Sequence, residues 1–205
     1  MSGAGAGGRW IAFEGGDGCG KSTQAARLAA RLGAVLTREP GGTAIGQLIR
    51  GVFLDPAHDR MEARAEALLV AADRAQHTAE VVAPALDAGQ LVVSDRSAYS
   101  SLAYQAHGRG LSLDMVRAVN DWATEGRWPD LVVLLDADPK LLAHRLGNDL
   151  DRFEQADHDF HERVRTAYLH MAAQAPDVWV VLDAQLAVDE LSEAVGSAVE
   201  DRLRR

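Results

Sequence analysis

The chain has 205 residues, 47% of them apolar and 25% charged, which is enough for one sizeable core of ordinary globular composition. Its formal charge of −9, from 21 basic and 30 acidic side chains, argues against a nucleic acid or an anionic membrane as partner. A single cysteine, Cys19, excludes an intrachain disulfide, and no apolar run approaches the roughly 20 residues of a membrane span, so a cytoplasmic location is expected.

Residues 1–8 (MSGAGAGG) are small and read as a flexible tail ahead of a single domain over 9–205. The apolar run Trp10–Glu14 predicts a first strand, and the pattern Ser22–Leu32 predicts a helix after a glycine-rich turn. Strand Val35–Arg38 and helix Ala44–Phe53 follow. A long helix is expected over Glu62–Leu86, with Pro84 kinking or ending it because proline donates no backbone hydrogen bond. Strand Leu91–Ser94, helix Leu113–Thr124, strand Leu131–Asp136 and helix Pro139–Leu146 come next. Leu146–Asp151 breaks helical character and predicts a loop, part of a lid at about 145–157. Helix His158–Ala173, strand Trp179–Leu182 and helix Val188–Leu203 complete the chain. Continuous apolar strands alternating with helices predict an α/β fold: a five-stranded parallel sheet covered by helices on both faces.

Ligands in such sheets bind beyond the carboxyl ends of the strands. After the first strand stands Gly15-Gly16-Asp17-Gly18-Cys19-Gly20-Lys21-Ser22-Thr23, which matches the phosphate-binding pattern G-x-x-x-x-G-K-[ST]. Glycines let consecutive N–H groups turn inward on phosphate oxygens, and the next helix adds its positive end. Lys21 is placed for the β and γ phosphates and Ser22 for Mg²⁺; Asp95, after the third strand, is placed to support the metal, with Arg96 beside it. This loop alone does not separate a kinase from a nucleotide switch or an ATP-driven machine. No Asn-Lys-x-Asp guanine-reading motif is present, and Arg38, Arg50, Arg74, Arg96 and Arg109 suggest a second anion site in an acidic protein. His77 and His144 read as helix-face residues.

With these segments in view, the chain resembles the bacterial-type thymidylate kinases from Arg9 onward. The resemblance is carried by Glu14–Thr23, Thr37–Thr43 (TREPGGT), Ala72–His77, Ser94–Arg96, Ser100–Gln105, Gly108–Gly110, Pro129–Asp130 and Asp151–Glu154 (DRFE). It implies a three-layer P-loop fold like that of the nucleoside monophosphate kinases, and ATP-dependent, Mg²⁺-assisted phosphorylation of dTMP to dTDP by a homodimer. By resemblance, Asp17 takes the nucleotide 3′-hydroxyl, and Glu39 and Pro40 edge the pocket. Arg74 reaches toward thymine, Arg96 holds the monophosphate, Ser101 and Gln105 meet the thymine edge, and Tyr104 walls the sugar. Arg152 and Glu154 belong to the lid, Glu154 toward the metal, and Arg145 toward ATP. Lys21, Arg96, Arg152 and Asp17 are the expected catalytic set. Val70 stands where the family carries a phenylalanine stacked on thymine, and Ser97 where an aromatic or histidine is common. The loop has Gly18 and Cys19 where one branch of the family has an arginine, which shifts that role to the lid, with Arg152 preferred over Arg145. Two other readings stay open: a kinase for another monophosphate such as dUMP, and a P-loop regulator that phosphorylates nothing.

Overall fold

The computed structural model describes residues 7–145 and 150–204. Five strands, β1 (Trp10–Glu14), β2 (Val35–Arg38), β3 (Val92–Asp95), β4 (Leu131–Asp136) and β5 (Trp179–Asp183), form one parallel sheet in the order β2-β3-β1-β4-β5. The register sets Ala12 opposite both Ser94 and Val132, so β1 is the central strand. The connection from β1 runs to β2 on one side and that from β4 runs to β5 on the other, so the winding reverses between β1 and β4, which opens a crevice at their carboxyl ends.

Side chains alternate across each strand, and the two faces build two cores. Ile11, Phe13, Val133 and Leu135 pack under α1 (Lys21–Leu32) and under Leu191, Val195 and Val199 of α9 (Val188–Leu203). Val132 and Leu134 face the other way, onto Phe160, Val164 and Tyr168 of α8 (His158–Gln174). Burying a leucine- or phenylalanine-sized side chain stabilises by about 1.5–3 kcal/mol, so these layers hold the sheet between its helices. Trp10 is fully buried and its indole N–H donates to Ser94 Oγ at 2.8 Å, which ties β1 to β3.

The remaining helices are α2 (Ala44–Leu54), α3 (Ala63–His77), α4 (Ala83–Asp87), α5 (Ala98–Ser101), α6 (Leu113–Ala123) and α7 (Pro139–Ala143). The long helix expected over 62–86 is therefore three pieces. A π-helical turn, Thr78–Val82, separates α3 from α4, and Ala83 N–H bonds back to Thr78 O. Pro84 has no N–H to give Glu80 and its ring would crowd that carbonyl, so the wider turn accommodates it. A second π-helical stretch, Leu102–Gly108, extends α5; no helix was expected there. The helix expected over 139–146 ends at Ala143. The expected tail and lid fall partly outside the described residues, at 1–6 and 146–149. Among the described residues no helix is long and apolar enough to cross a membrane.

Candidate active site

The phosphate loop leaves β1 through Gly15, whose φ is +137° and where a Cβ would lie 2.4 Å from the Leu135 carbonyl oxygen, so only glycine fits. Gly20, at φ +92°, caps α1 and leaves the helix's first N–H groups directed at the loop. Lys21 is only 6% exposed, and its ammonium donates to the Gly16 carbonyl at 2.7 Å and to Cys19 Sγ at 3.6 Å. The Ser22 hydroxyl donates to Asp95 Oδ2, while Asp95 Oδ1 is buried without a partner. An unpartnered carboxylate oxygen beside a hydroxyl suits a hard cation. Mg²⁺ takes few protein ligands and keeps its waters and substrate phosphates, so this pair fits it. No group of three or more His, Cys, Asp or Glu could hold a metal among the described residues.

Arg96 follows β3 with φ +73°, a left-handed conformation costly for a residue with a Cβ. That backbone aims the guanidinium at the loop. It donates to the Asp17 carboxylate, to Ser100 Oγ at 3.1 Å and to the Tyr104 hydroxyl at 3.1 Å, with Gly15 O at 3.4 Å. The Tyr104 hydroxyl donates to Asp17 at 3.2 Å. Burial works to raise the Asp17 pKa, but the charges of Arg96 and Lys21 and the Tyr104 hydrogen bond outweigh it and hold Asp17 below the usual range. Burial pushes the Tyr104 phenol up, so it stays a donor. Beneath them Glu14 is fully buried; it accepts from Ser97 N at 2.9 Å, Ser97 Oγ at 2.7 Å, Ser100 Oγ at 2.6 Å and Tyr168 OH at 2.7 Å. Ser97 is thus a buried anchor of the turn after Arg96 rather than a pocket wall.

A second buried network lies under α3. Arg74 has no exposed surface and donates to Glu39 Oε2 at 2.7 Å, Ser101 Oγ at 2.9 Å, Ser97 O at 3.1 Å and the Asn120 side-chain carbonyl. Glu39 also bonds His77 Nδ1 at 2.8 Å, and His77 Nε2 meets Thr37 Oγ1 at 2.6 Å. His77 is therefore wholly buried, against the expectation of a helix-face residue, because a loop carboxylate 38 residues away pairs with it. Burial works to raise the Glu39 pKa, and Arg74 and His77 overcome it and hold the group below its usual value. The Glu39–Pro40 peptide is cis.

Glu39, Pro40, Val70, Arg74, Tyr104 and Gln105 line one cavity, together with Phe53, Leu54, Phe153 and Ser100, which sequence reasoning did not select. Phe53 and Phe153 rings stand 4.9 Å apart and supply the aromatic surface that Val70 lacks. Ser101 is buried behind Arg74 and is not among the lining residues, so the structure does not bring it to the cavity surface. A groove over the phosphate loop, of about 360 Å³, is lined by Lys21, Ser22, Thr23, Asp95, Glu154 and Arg38. Asp17, Glu39, Arg50, Arg96 and Asp151 line both spaces, so the two join at Asp17 and Arg96. Arg50 was visible as one of a series of arginines; nothing local to it marked the junction.

The lid candidates divide. Glu154 reaches the groove, its carboxylate accepting from Asp151 N at 2.9 Å, and burial followed by the nearby Asp151 and Asp17 charges raises its pKa. Arg152 does not reach it. Its guanidinium donates to Glu66 at 2.6 Å and to Phe53 O at 3.1 Å, and it lies 4.5 Å from the Phe153 ring centroid. A fully buried carboxylate, unnoticed in the sequence because a glutamate on a helix usually faces water, holds it there. Arg145 donates to the Ala184 carbonyl at 2.9 Å, after β5, and is absent from the groove lining. A further open cavity of about 390 Å³ lies between Gly15–Asp17, the end of β4, α7 and α8, lined by the Arg165–Asp136 ion pair at 2.8 Å and by His144, His158 and His161.

Residues 13–195 match the family model described as thymidylate kinase. The chain is 47% identical over 205 residues to a thymidylate kinase of Bifidobacterium longum strain NCC 2705, covering 96% of this chain and 98% of the relative. It is 48% identical over 202 residues to a thymidylate kinase of Deinococcus radiodurans, covering 95% and 98%. Against one from Pelotomaculum thermopropionicum the identity is 44% over 204 residues, covering 96% and 94%.

Proposed function

The chain belongs to the thymidylate kinase family, and from that premise we propose that it transfers the γ-phosphoryl group of ATP to dTMP, giving ADP and dTDP. The observation that carries the reading is the junction at Asp17 and Arg96, where a phosphate-loop groove and an aromatic-walled cavity meet. Donor and acceptor phosphates held on either side of it approach in line, which is most of what phosphoryl transfer asks of a protein.

The loop N–H groups and Lys21 take the donor's phosphates, Lys21 exchanging the Gly16 carbonyl for phosphate oxygen. Arg96 takes the acceptor phosphate, and Asp17, kept ionised, accepts from the sugar 3′-hydroxyl. Phe53, Phe153 and Val70 enclose the base, and Gln105 meets its edge. A phosphate's second pKa is about 6, so the attacking oxygen is already anionic and no general base is required. Ser22 and Asp95, with Glu154 nearby, would hold Mg²⁺, which would supply charge neutralisation. The segment around 145–157 acts as the lid of a single domain, and Arg152 enters the donor site only if it leaves Glu66. The exposed apolar side chains Ile45, Leu48 and Val52 of α2 and Leu68 of α3 are the faces we assign to a homodimer.

The test is ADP release from Mg-ATP with dTMP, dUMP, AMP, CMP or GMP. Stimulation by dTMP above the others is the expected result; stimulation by none of them sinks the reading, and preference for dUMP redirects it.

A further inference from the structure

Glu66, on α3, has no exposed surface, yet side chains from three other places converge on it. Gln105 Nε2 donates to it at 2.8 Å, Arg109 Nε at 3.1 Å and Arg152 Nη1 at 2.6 Å. Arg152 is also fastened to the end of α2, its backbone N–H on Leu54 O at 3.1 Å and its side chain on Phe53 O at 3.1 Å. The next residue is Phe153, whose ring, 4% exposed, lines the cavity and packs edge-on against Tyr104 at a centroid distance of 5.7 Å. One carboxylate thus holds the amide and the ring on two walls of the same space.

A carboxylate only accepts hydrogen bonds, so Gln105 must turn its NH₂ toward Glu66. The amide oxygen is left for the cavity that Gln105 lines. An acceptor there complements a pyrimidine whose N3 carries a hydrogen, as in thymine, and opposes the bare N3 of cytosine. A site that orients a buried polar group rejects a mismatched ligand strongly, because the group is then unpaired.

We propose that Glu66 is a positioning residue for base selectivity, fixing the Gln105 amide with its oxygen toward the base and docking Arg152 so that Phe153 walls the pocket. The inference rests on reading this cavity as the acceptor-base site. In Glu66→Gln the second amide can donate as well as accept, which frees Gln105 to turn over. Calorimetric dissociation constants for dTMP and dCMP are compared in wild type and variant, with thermal melting to establish folding. The expected result is that dTMP weakens and dCMP weakens less, the preference falling about tenfold. Equal weakening of both, or no change, overturns the proposal, since a purely structural role moves both alike. If Glu66→Gln does not fold, Gln105→Leu, which leaves Glu66 with both arginines, reads the same amide, and an unchanged preference overturns the proposal equally. Wild type that prefers dTMP in calorimetry but releases no ADP with it would sink the catalytic reading alone; wild type that binds no dTMP sinks both.

Discussion

Lys21 lines the phosphate-loop groove and Arg96 its junction with the cavity, and neither is free in this structure: one sits on Gly16 O, the other on Asp17. Lys21→Ala removes charge where it builds up during transfer, so kcat should fall by about 10²–10³-fold with melting little changed. Glu39 makes a different prediction. Its folded pKa lies below the unperturbed 4.5, so its pairing with Arg74 stabilises fully above that value and the contribution is lost as pH falls through the folded pKa. Glu39→Gln should cost about 3–5 kcal/mol near neutrality by stranding Arg74, and should flatten the acid limb of a denaturation series below pH 4.5. A variant as steep as wild type would refute it. These pairs were hard to read beforehand. Lys21, Asp17 and Arg96 stand in short motifs, but Glu39–His77, Glu66–Arg152 and Glu14–Ser97 join residues 38, 86 and 83 positions apart, and a buried glutamate looks the same in sequence as a solvated one.

At the level of elements, the inner strands β1 and β4 were legible because both their faces are covered, which makes each run continuously apolar, whereas the edge strands β2 and β5 alternate partly exposed residues and were read from their β-branched and apolar content. The helical stretch Ala98–Gly108 was not, because it is buried on nearly every side and shows no amphipathic period. Its start depends on Ser97, whose Oγ accepts from Tyr99 N at 3.3 Å and donates to Glu14 at 2.7 Å. Ser97→Ala removes both, and should destabilise by about 1–2 kcal/mol, seen as a fall of a few degrees in Tm for a domain of this size. An unchanged Tm would mean that Glu14 and the π-helical extension anchor this element without the cap. The interruption of the long third helix was half-legible: Pro84 announced a defect, but the π turn lies before it, where the carbonyl has to move away.

At the scale of the molecule, two predictions follow from its surface and its metal site. Leu48 is 74% exposed and Leu68 59%, on adjoining helices, so Leu48→Glu should shift sedimentation from dimer to monomer. A wild-type chain that sediments as a monomer would remove the assigned interface. The pair that would hold Mg²⁺, Ser22 and Asp95, ties β3 to the phosphate loop without the ion, so chelation of Mg²⁺ should abolish turnover while leaving Tm within a degree or so, unlike a structural metal whose loss unfolds its domain. The four tryptophans are distributed so unevenly that the protein carries its own optical gauge. Trp122 stands 86% exposed and should emit toward the red and be quenched by acrylamide. Trp10 is sealed inside the sheet, and Trp179 packs edge-on against Tyr99 at 4.8 Å and lies 6.4 Å from Tyr168, the latter bonded to Glu14 under the phosphate loop. Their shielded blue emission, fed by energy transfer from the neighbouring tyrosines, would report from beneath the reacting groups while the Trp122 signal reports on the solvent around α6.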